Sequence, residues 1–218
     1  MKKLSNRITF FGGMLAAYVG LIRPWISRWN ATDDELLKTQ PGDELISHPL
    51  LHTTRSVLIQ APADKVWPWV VQIGYGRGGF YSFDKLERAA GLKGLRSATE
   101  IDPDLQKLKQ GDTIHISPET PMTVEVLKRN RAMVLHTIMS PFTAQPLDPH
   151  NPPQPWIDWS WSFLVTPLNQ YACRLASRVR AVYAPYFALW PLMALVVEPA
   201  TFIMDRKMLL TIKERAEA

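Results

Sequence analysis

Chemistry in this chain of 218 residues has few possible carriers: five histidines, one cysteine, and a short run that packs glycine, arginine and tyrosine together. Cys173 stands alone, which excludes an internal disulfide and a cysteine-based zinc site. His48 and His52 are four apart, the spacing of a metal pair on a helix. Pro49 between them and the lack of a His-Glu-x-x-His pattern speak against that use. His115 and His136 fall in segments of strand period, where either serves as a general acid or base near neutral pH or as an ordinary strand histidine. Spacing alone defends no Ser-His-Asp ordering. No motif calls for a metal or a cofactor.

The loop Tyr75–Ser82 holds Gly76, Arg77, Gly78, Gly79 and Tyr81. It is no phosphate loop, because no Gly-Lys-Ser/Thr follows. Two readings stand: a gate at a cavity mouth, where Arg77 and Tyr81 offer hydrogen bonds, or a glycine-rich connection tied by Arg77 to Asp84 or Glu87. The segment Asp158–Val165 alternates, putting Trp159, Trp161, Phe163 and Val165 on one strand face. Those side chains line a ligand cavity or fill a core. Arg174, Arg178 and Arg180 share the face of another strand. They suit a carboxylate or phosphate clamp, or a solvated or salt-bridged outer face with Glu125 or Asp158 as partners. Met204, Met208 and Ile212 recur every four residues as one helical stripe. Methionine fills irregular gaps, so the stripe suits a cavity wall opposite the aromatic strand.

The elements that must position these residues follow from period and punctuation. Thr53–Gln60, Asp112–Ser117, Thr123–Lys128, Ala132–Met139, Asp158–Leu168 and Ala172–Tyr183 read as strands. Helices are expected over Lys65–Ile73, from Ser82 or Asp84 to about Ala90, and over Tyr186–Val197 and Thr201–Ala216. Ser140–Pro155 carries six prolines and is expected to be a long exposed loop. A strand, two short helices, an antiparallel meander and a helical end describe an α+β architecture with the last helix on one sheet face.

The net charge is +5, yet residues 1–29 carry Lys2, Lys3, Arg7, Arg23 and Arg28 and no acid. The remainder is neutral, which argues against the basic face of a nucleic-acid binder. Ile8–Ile22 runs fifteen residues without a charge, short of the roughly 20 of a comfortable membrane span. No small-residue cleavage site follows, since Arg23-Pro24-Trp25 comes next. Trp25 and Trp29 beside Arg23 and Arg28 suit interfacial anchors. The expected division is therefore an apolar helix over 1–30 and one domain over 31–218. The helix either holds the protein at a lipid surface through residues 1–29 or docks on its own domain, which would leave the protein cytoplasmic.

The segments Ala61-Pro62, Val66-Trp67-Pro68-Trp69, Gln72-Ile73-Gly74, Gly79-Phe80-Tyr81-Ser82 and Leu86-Glu87 form one pattern with Pro41-Gly42-Asp43, Thr54-Arg55, Gly111-Asp112 and Trp159-Ser160-Trp161. This pattern resembles the START-like (SRPBCC) superfamily, and within it a bacterial polyketide cyclase/dehydrase-like branch. The resemblance covers about residue 31 to the C-terminus. It implies a helix-grip fold, with a curved antiparallel sheet around a long C-terminal helix and a deep apolar cavity. Members bind lipids, sterols or polyketides, and some are cyclases. The expectation is a hydrophobic small molecule held by Arg77, Tyr81, Trp159, Trp161, Phe163, Met204, Met208 and Ile212. The alternative is a cyclase, dehydratase or hydrolase in the same cavity, drawing on His115, His136, Asp112 or Tyr81 beside Arg77. A titratable side chain inside the cavity discriminates between the two.

Overall fold

The computed structural model describes residues 12–89 and 91–218. Lys2, Lys3, Arg7, the start of the apolar run at 8–11 and the expected helix end at residue 90 lie outside the described residues. Six strands form one antiparallel sheet: β1 (Leu51–Ile59), β2 (Thr113–Ser117), β3 (Thr120–Lys128), β4 (Ala132–Met139), β5 (Trp156–Asn169) and β6 (Ala172–Ala184). Their spatial order is β1-β6-β5-β4-β3-β2, so β1 and β2 are edges and the curved sheet stays open. The helices are α1 (12–27), α2 (Asp33–Leu37), α3 (Ala63–Val71), α4 (Asp84–Ala89) and α5 (Tyr186–Glu217). The long α5 lies in the concavity against β1 and β6, with α3 packed on α5 and β5. This is the α+β helix-grip arrangement.

Strand parity explains the two faces of the sheet. Val57, Ile59, Met133, Leu135, Phe163, Val165, Leu175 and Val179 point inward and are buried in one cluster with Met208, Leu209 and Ile212 of α5. Two wide π turns interrupt the helices, at Tyr18–Ile22 in α1 and Met193–Val197 in α5. The second directly precedes Glu198-Pro199, where proline cannot donate to the preceding turn. Ser140–Pro155 is irregular as expected, but not wholly detached. Met139 bridges to Pro146, and the Thr120 hydroxyl donates to the Ala144 carbonyl at 2.6 Å.

The convex face is covered by the chain between α1 and β1. A capping box starts α2: the Thr32 hydroxyl accepts from the Glu35 N–H, and the Glu35 carboxylate accepts from the Thr32 N–H. Glu35 then receives Arg174 on both oxygens, at 2.8 and 3.1 Å. Arg178 is 1% exposed and donates to Asp43 at 2.6 Å and to Thr54 at 3.1 Å. Arg180 donates to the Ile46 carbonyl at 2.9 Å and lies 3.4 Å from Asp43. The three arginines are therefore no ligand clamp. Their partners are Glu35 and Asp43, not Glu125 or Asp158, because the covering segment reaches β6 before the next strands do. Gly42 allows that approach: its φ is +92°, and a Cβ there would lie 2.5 Å from a Val134 methyl.

Burial opposes ionisation of Glu35, but Arg174, the Thr32 N–H and Ser56 outweigh it and hold its pKa below the ordinary 4.5. A depressed carboxylate stabilises the fold above its unfolded value, and that contribution is lost as pH falls through the folded value. Glu35→Gln should therefore unfold at lower urea than the parent at about pH 7, with the gap narrowing as pH falls below 4.5 and through the folded value. A gap that is unchanged at acid pH would show that the carboxylate charge is not what holds the segment.

Candidate functional site

Between the concave sheet face and α5 lies a cavity of about 330 Å³. Ile157, Trp159 and Trp161 of β5, Val179 of β6, Met139 of β4 and Ile116 of β2 form one side. Val197, Met204 and Met208 of α5 form the other, and Phe80, Leu92, Pro141 and Ala144 close the ends. The first part of the proline-rich loop thus belongs to the cavity wall.

Of the eight side chains expected around a ligand, Trp159, Trp161, Met204 and Met208 line this cavity. Phe163 does not. It is fully buried behind Trp161, with ring centroids 4.6 Å apart. Ile212 lies one turn beyond Met208 and is enclosed in the core, so the stripe leaves the cavity after two residues. Arg77 points away from it. Its Nε donates to the Ile73 carbonyl at 3.3 Å, and its Nη2 to the carbonyls of Val71 and Leu105 at 3.0 and 3.2 Å. The free carbonyls at the end of α3 attract the guanidinium, which ties that helix to the 3-10 turn Pro103–Lys107.

Tyr81 is also turned inward, on a backbone with φ 57°. Its hydroxyl donates to the Trp69 carbonyl at 3.1 Å, and Arg215 lies 4.8 Å from its ring centroid. Burial pushes its pKa up to about 12. Tyr81 borders a separate, more open groove beside Arg215. Arg77 and Tyr81 are therefore internal ties of the glycine loop, whose Phe80 and Ser82 border the cavity, and neither Asp84 nor Glu87 holds Arg77. Asp84 accepts from Ser97, and Glu87 from Ser82.

The other acid–base candidates also face elsewhere. His115 lies between cavity-side Ile114 and Ile116, so strand parity turns it to the far face. His136 is on that same face, with Nε2 2.7 Å from Asp158 Oδ1. Asp112 accepts from the Lys109 N–H at 2.8 Å in an exposed turn. His48 precedes β1 and His52 lies within it, so the two share no helix face.

A different pair carries the charge at the cavity. Arg55 of β1 is fully buried, and its Nη1 donates to Asp205 Oδ2 of α5 at 2.7 Å. Its Nε donates to the Ile26 carbonyl of α1 at 2.8 Å, and its guanidinium carbon lies 5.6 Å from the Phe202 ring centroid. Ser177 donates to the same Asp205 oxygen at 3.3 Å and accepts from the Trp161 indole N–H at 2.9 Å. Asp205 belongs to the cavity lining, and among the described residues it is the only titratable group there. Burial pushes its carboxyl above the ordinary range, with Arg55 and Ser177 pulling the other way. Sequence reasoning missed both residues, although each left a signal. Arg55 has the inward parity of Val57 and Ile59, and Asp205 sits within the Met204–Met208 turn.

No protein-family model matches the chain, and no curated protein matches it. Solved structures do resemble it. Hypothetical protein jhp0584 from Helicobacter pylori is 13% identical, covering 81% of this chain and 94% of that one, with a TM-score of 0.47. The Polyketide_cyc-like protein Cgl2372 from Corynebacterium glutamicum is 15% identical, covering 74% and 88%, with a TM-score of 0.33. The Zhui aromatase/cyclase from a Streptomyces species is 15% identical, covering 76% and 93%, with a TM-score of 0.34.

Removing one partner of a buried ion pair strands the other charge, at a cost of about 3–5 kcal/mol. Arg55→Met should lower stability by that amount in urea unfolding. Arg55→Met with Asp205→Leu should recover most of the loss. A double variant no more stable than the single one would show that the pair is not coupled.

Proposed function

We propose that the protein binds an apolar small molecule in the cavity under α5 and exchanges it at a lipid surface. The cavity lining carries this reading: aromatic and aliphatic walls with one carboxylate are the make-up of a site for a largely apolar ligand. Burial of such a ligand contributes ~25 cal/mol per Å² of apolar surface, less the cost of ordering it. Asp205 is the titratable cavity side chain that favours a second reading, a cyclase-type reaction with Asp205 as its acid–base group in place of His115, His136 or Asp112; its pairing with Arg55 and Ser177 favours the binding reading.

The lipid side of the reading rests on α1 and the first half of α5. The Tyr18 hydroxyl donates to the Ala194 carbonyl at 2.6 Å, and Arg23 pairs with Glu198 through bonds of 2.7 and 2.8 Å. The apolar N-terminal helix is thus docked on its own domain, and it still presents an apolar outer face. Leu21 (73% exposed), Trp25, Phe187 (90%), Val196 and Ile203 point outward on the paired helices. Only 22% of the most apolar window of α5 is buried, and the helix is long and apolar enough to cross a membrane. A core helix would be mostly enclosed. Exposed apolar patches of this kind mark interaction sites, and the uncharged stretches 12–22 of α1 and 186–197 of α5, with Trp25 and Tyr186 at their margins, match a lipid interface. The opposite side of α5 lines the cavity through Val197 and Met204, so one helix would separate ligand from lipid.

An environment-sensitive apolar dye should bind the full chain and quench its tryptophan fluorescence. Trp161→Ala should weaken that binding several-fold. Because Trp161 borders open space, its truncation should cost less than the ~3–5 kcal/mol of a packed aromatic. The protein should sediment with phosphatidylcholine vesicles, and Leu21→Glu with Phe187→Glu should release it while dye binding persists. No quenching would refute the cavity reading, and no sedimentation would refute the lipid reading.

A further inference from the structure

The two bonds that Asp205 accepts both fall on Oδ2, from Arg55 and Ser177. Oδ1 accepts none. The side chain retains 8% of its surface, along the cavity that it helps to line. Oδ1 is therefore accessible from the cavity, and an acceptor beside mostly apolar walls is favoured by a donor brought to it. Among the other polar side chains of the lining, Ser140 accepts from the Phe142 and Thr143 N–H groups of its own loop at 3.4 Å, and the rest have closer partners. Ser82 donates to Glu87, Thr201 donates to the Glu198 carbonyl at 3.0 Å, and the Trp161 indole N–H is held by Ser177. Among the described residues, Asp205 Oδ1 is thus a charged acceptor open to a chamber whose walls are mostly apolar.

From this geometry we infer that the ligand is an apolar molecule carrying a neutral hydroxyl, which donates to Asp205 Oδ1. The inference rests on the cavity reading above and names its ligand class. Charge decides among the possible head groups. Arg55 at 2.7 Å already neutralises Asp205. A ligand carboxylate would bring a second anion against Asp205 in a poorly solvated space. An ammonium would add an uncompensated cation to a pair already balanced. A hydroxyl supplies the missing donor with no net charge. The rest of the molecule lies between Trp159 and Trp161 on one side and Met204 and Met208 on the other.

Displacement of the apolar dye from the full chain tests this with three probes of one chain length: decanol, decyl methyl ether and decanoate. Decanol should displace the dye at about tenfold lower concentration than the ether, which accepts but cannot donate. Decanoate should be the weakest. In Asp205→Asn the ratio of alcohol to ether potency, each measured against that variant's own dye affinity, should shrink several-fold. Equal potency of alcohol and ether on the parent protein, or tighter binding of decanoate, overturns the hydroxyl assignment and leaves the cavity reading standing. Failure of the dye and all three probes to bind overturns the cavity reading and this inference with it. Should Asp205→Asn not fold, the comparison on the parent protein decides alone.

Discussion

Arg55 and Asp205 meet where three parts of the chain converge. β1 supplies the cation, α5 the anion, and α1 a carbonyl at Ile26 that takes the guanidinium's remaining Nε bond. Such a pair is weak evidence for net stability, because desolvation offsets its attraction. Its effect is on register. Arg55 stands opposite Ser177 in the β1–β6 ladder, and both reach Asp205. A slip of one residue in β1 would turn Arg55 to the convex face and leave Asp205 unpaired inside. The same contact fixes which side of α5 faces the sheet, and so which of its residues meet Trp159 and Trp161.

The sheet separates two kinds of chemistry by parity alone. Even-numbered positions of β6 carry Arg174, Arg178 and Arg180 to the segment between α1 and β1, where Glu35 and Asp43 receive them. Odd-numbered positions carry Leu175, Ser177 and Val179 to the helix and the cavity. Charge is thus concentrated on the face that is sealed by polar contacts, while the opposite face keeps a single ion pair. That division leaves the chamber apolar without leaving the protein short of charge.

Sequence patterning was most legible where one periodicity dominated. The alternation of Trp159, Trp161 and Phe163 and the fourfold spacing of Met204 and Met208 located both cavity walls, because period two and period 3.6 each dictate a face. The cavity's limits were less legible: Phe163 and Ile212 share those faces but lie beyond the open space, and depth within a core leaves no periodic mark. Arg77 and Tyr81 misled for another reason. Polar side chains in a glycine loop can reach solvent, a ligand or nearby carbonyls, and the carbonyls at the end of α3 were not visible in one dimension. The partners of Arg174 and Arg178 were missed because a segment distant in sequence folds over β6. Arg55 and Asp205 were legible in principle, as charges on apolar faces, but 150 residues separate them.

The π turn at Met193–Val197 acts as a phase shifter in a single continuous helix. Each residue of an α-helix advances the side-chain direction by roughly 100°, and a wide turn inserts one residue more than an α turn. The stripe that begins the helix is therefore not in angular step with the stripe that ends it. Phe187 can look outward while Met204 and Met208 look inward, with no break in the helix. The Tyr18 hydroxyl reaches the Ala194 carbonyl within that turn. The neighbouring helix thus supplies a donor just where the offset is made, and an angular offset between two ends of one helix becomes a fixed property of the packed pair.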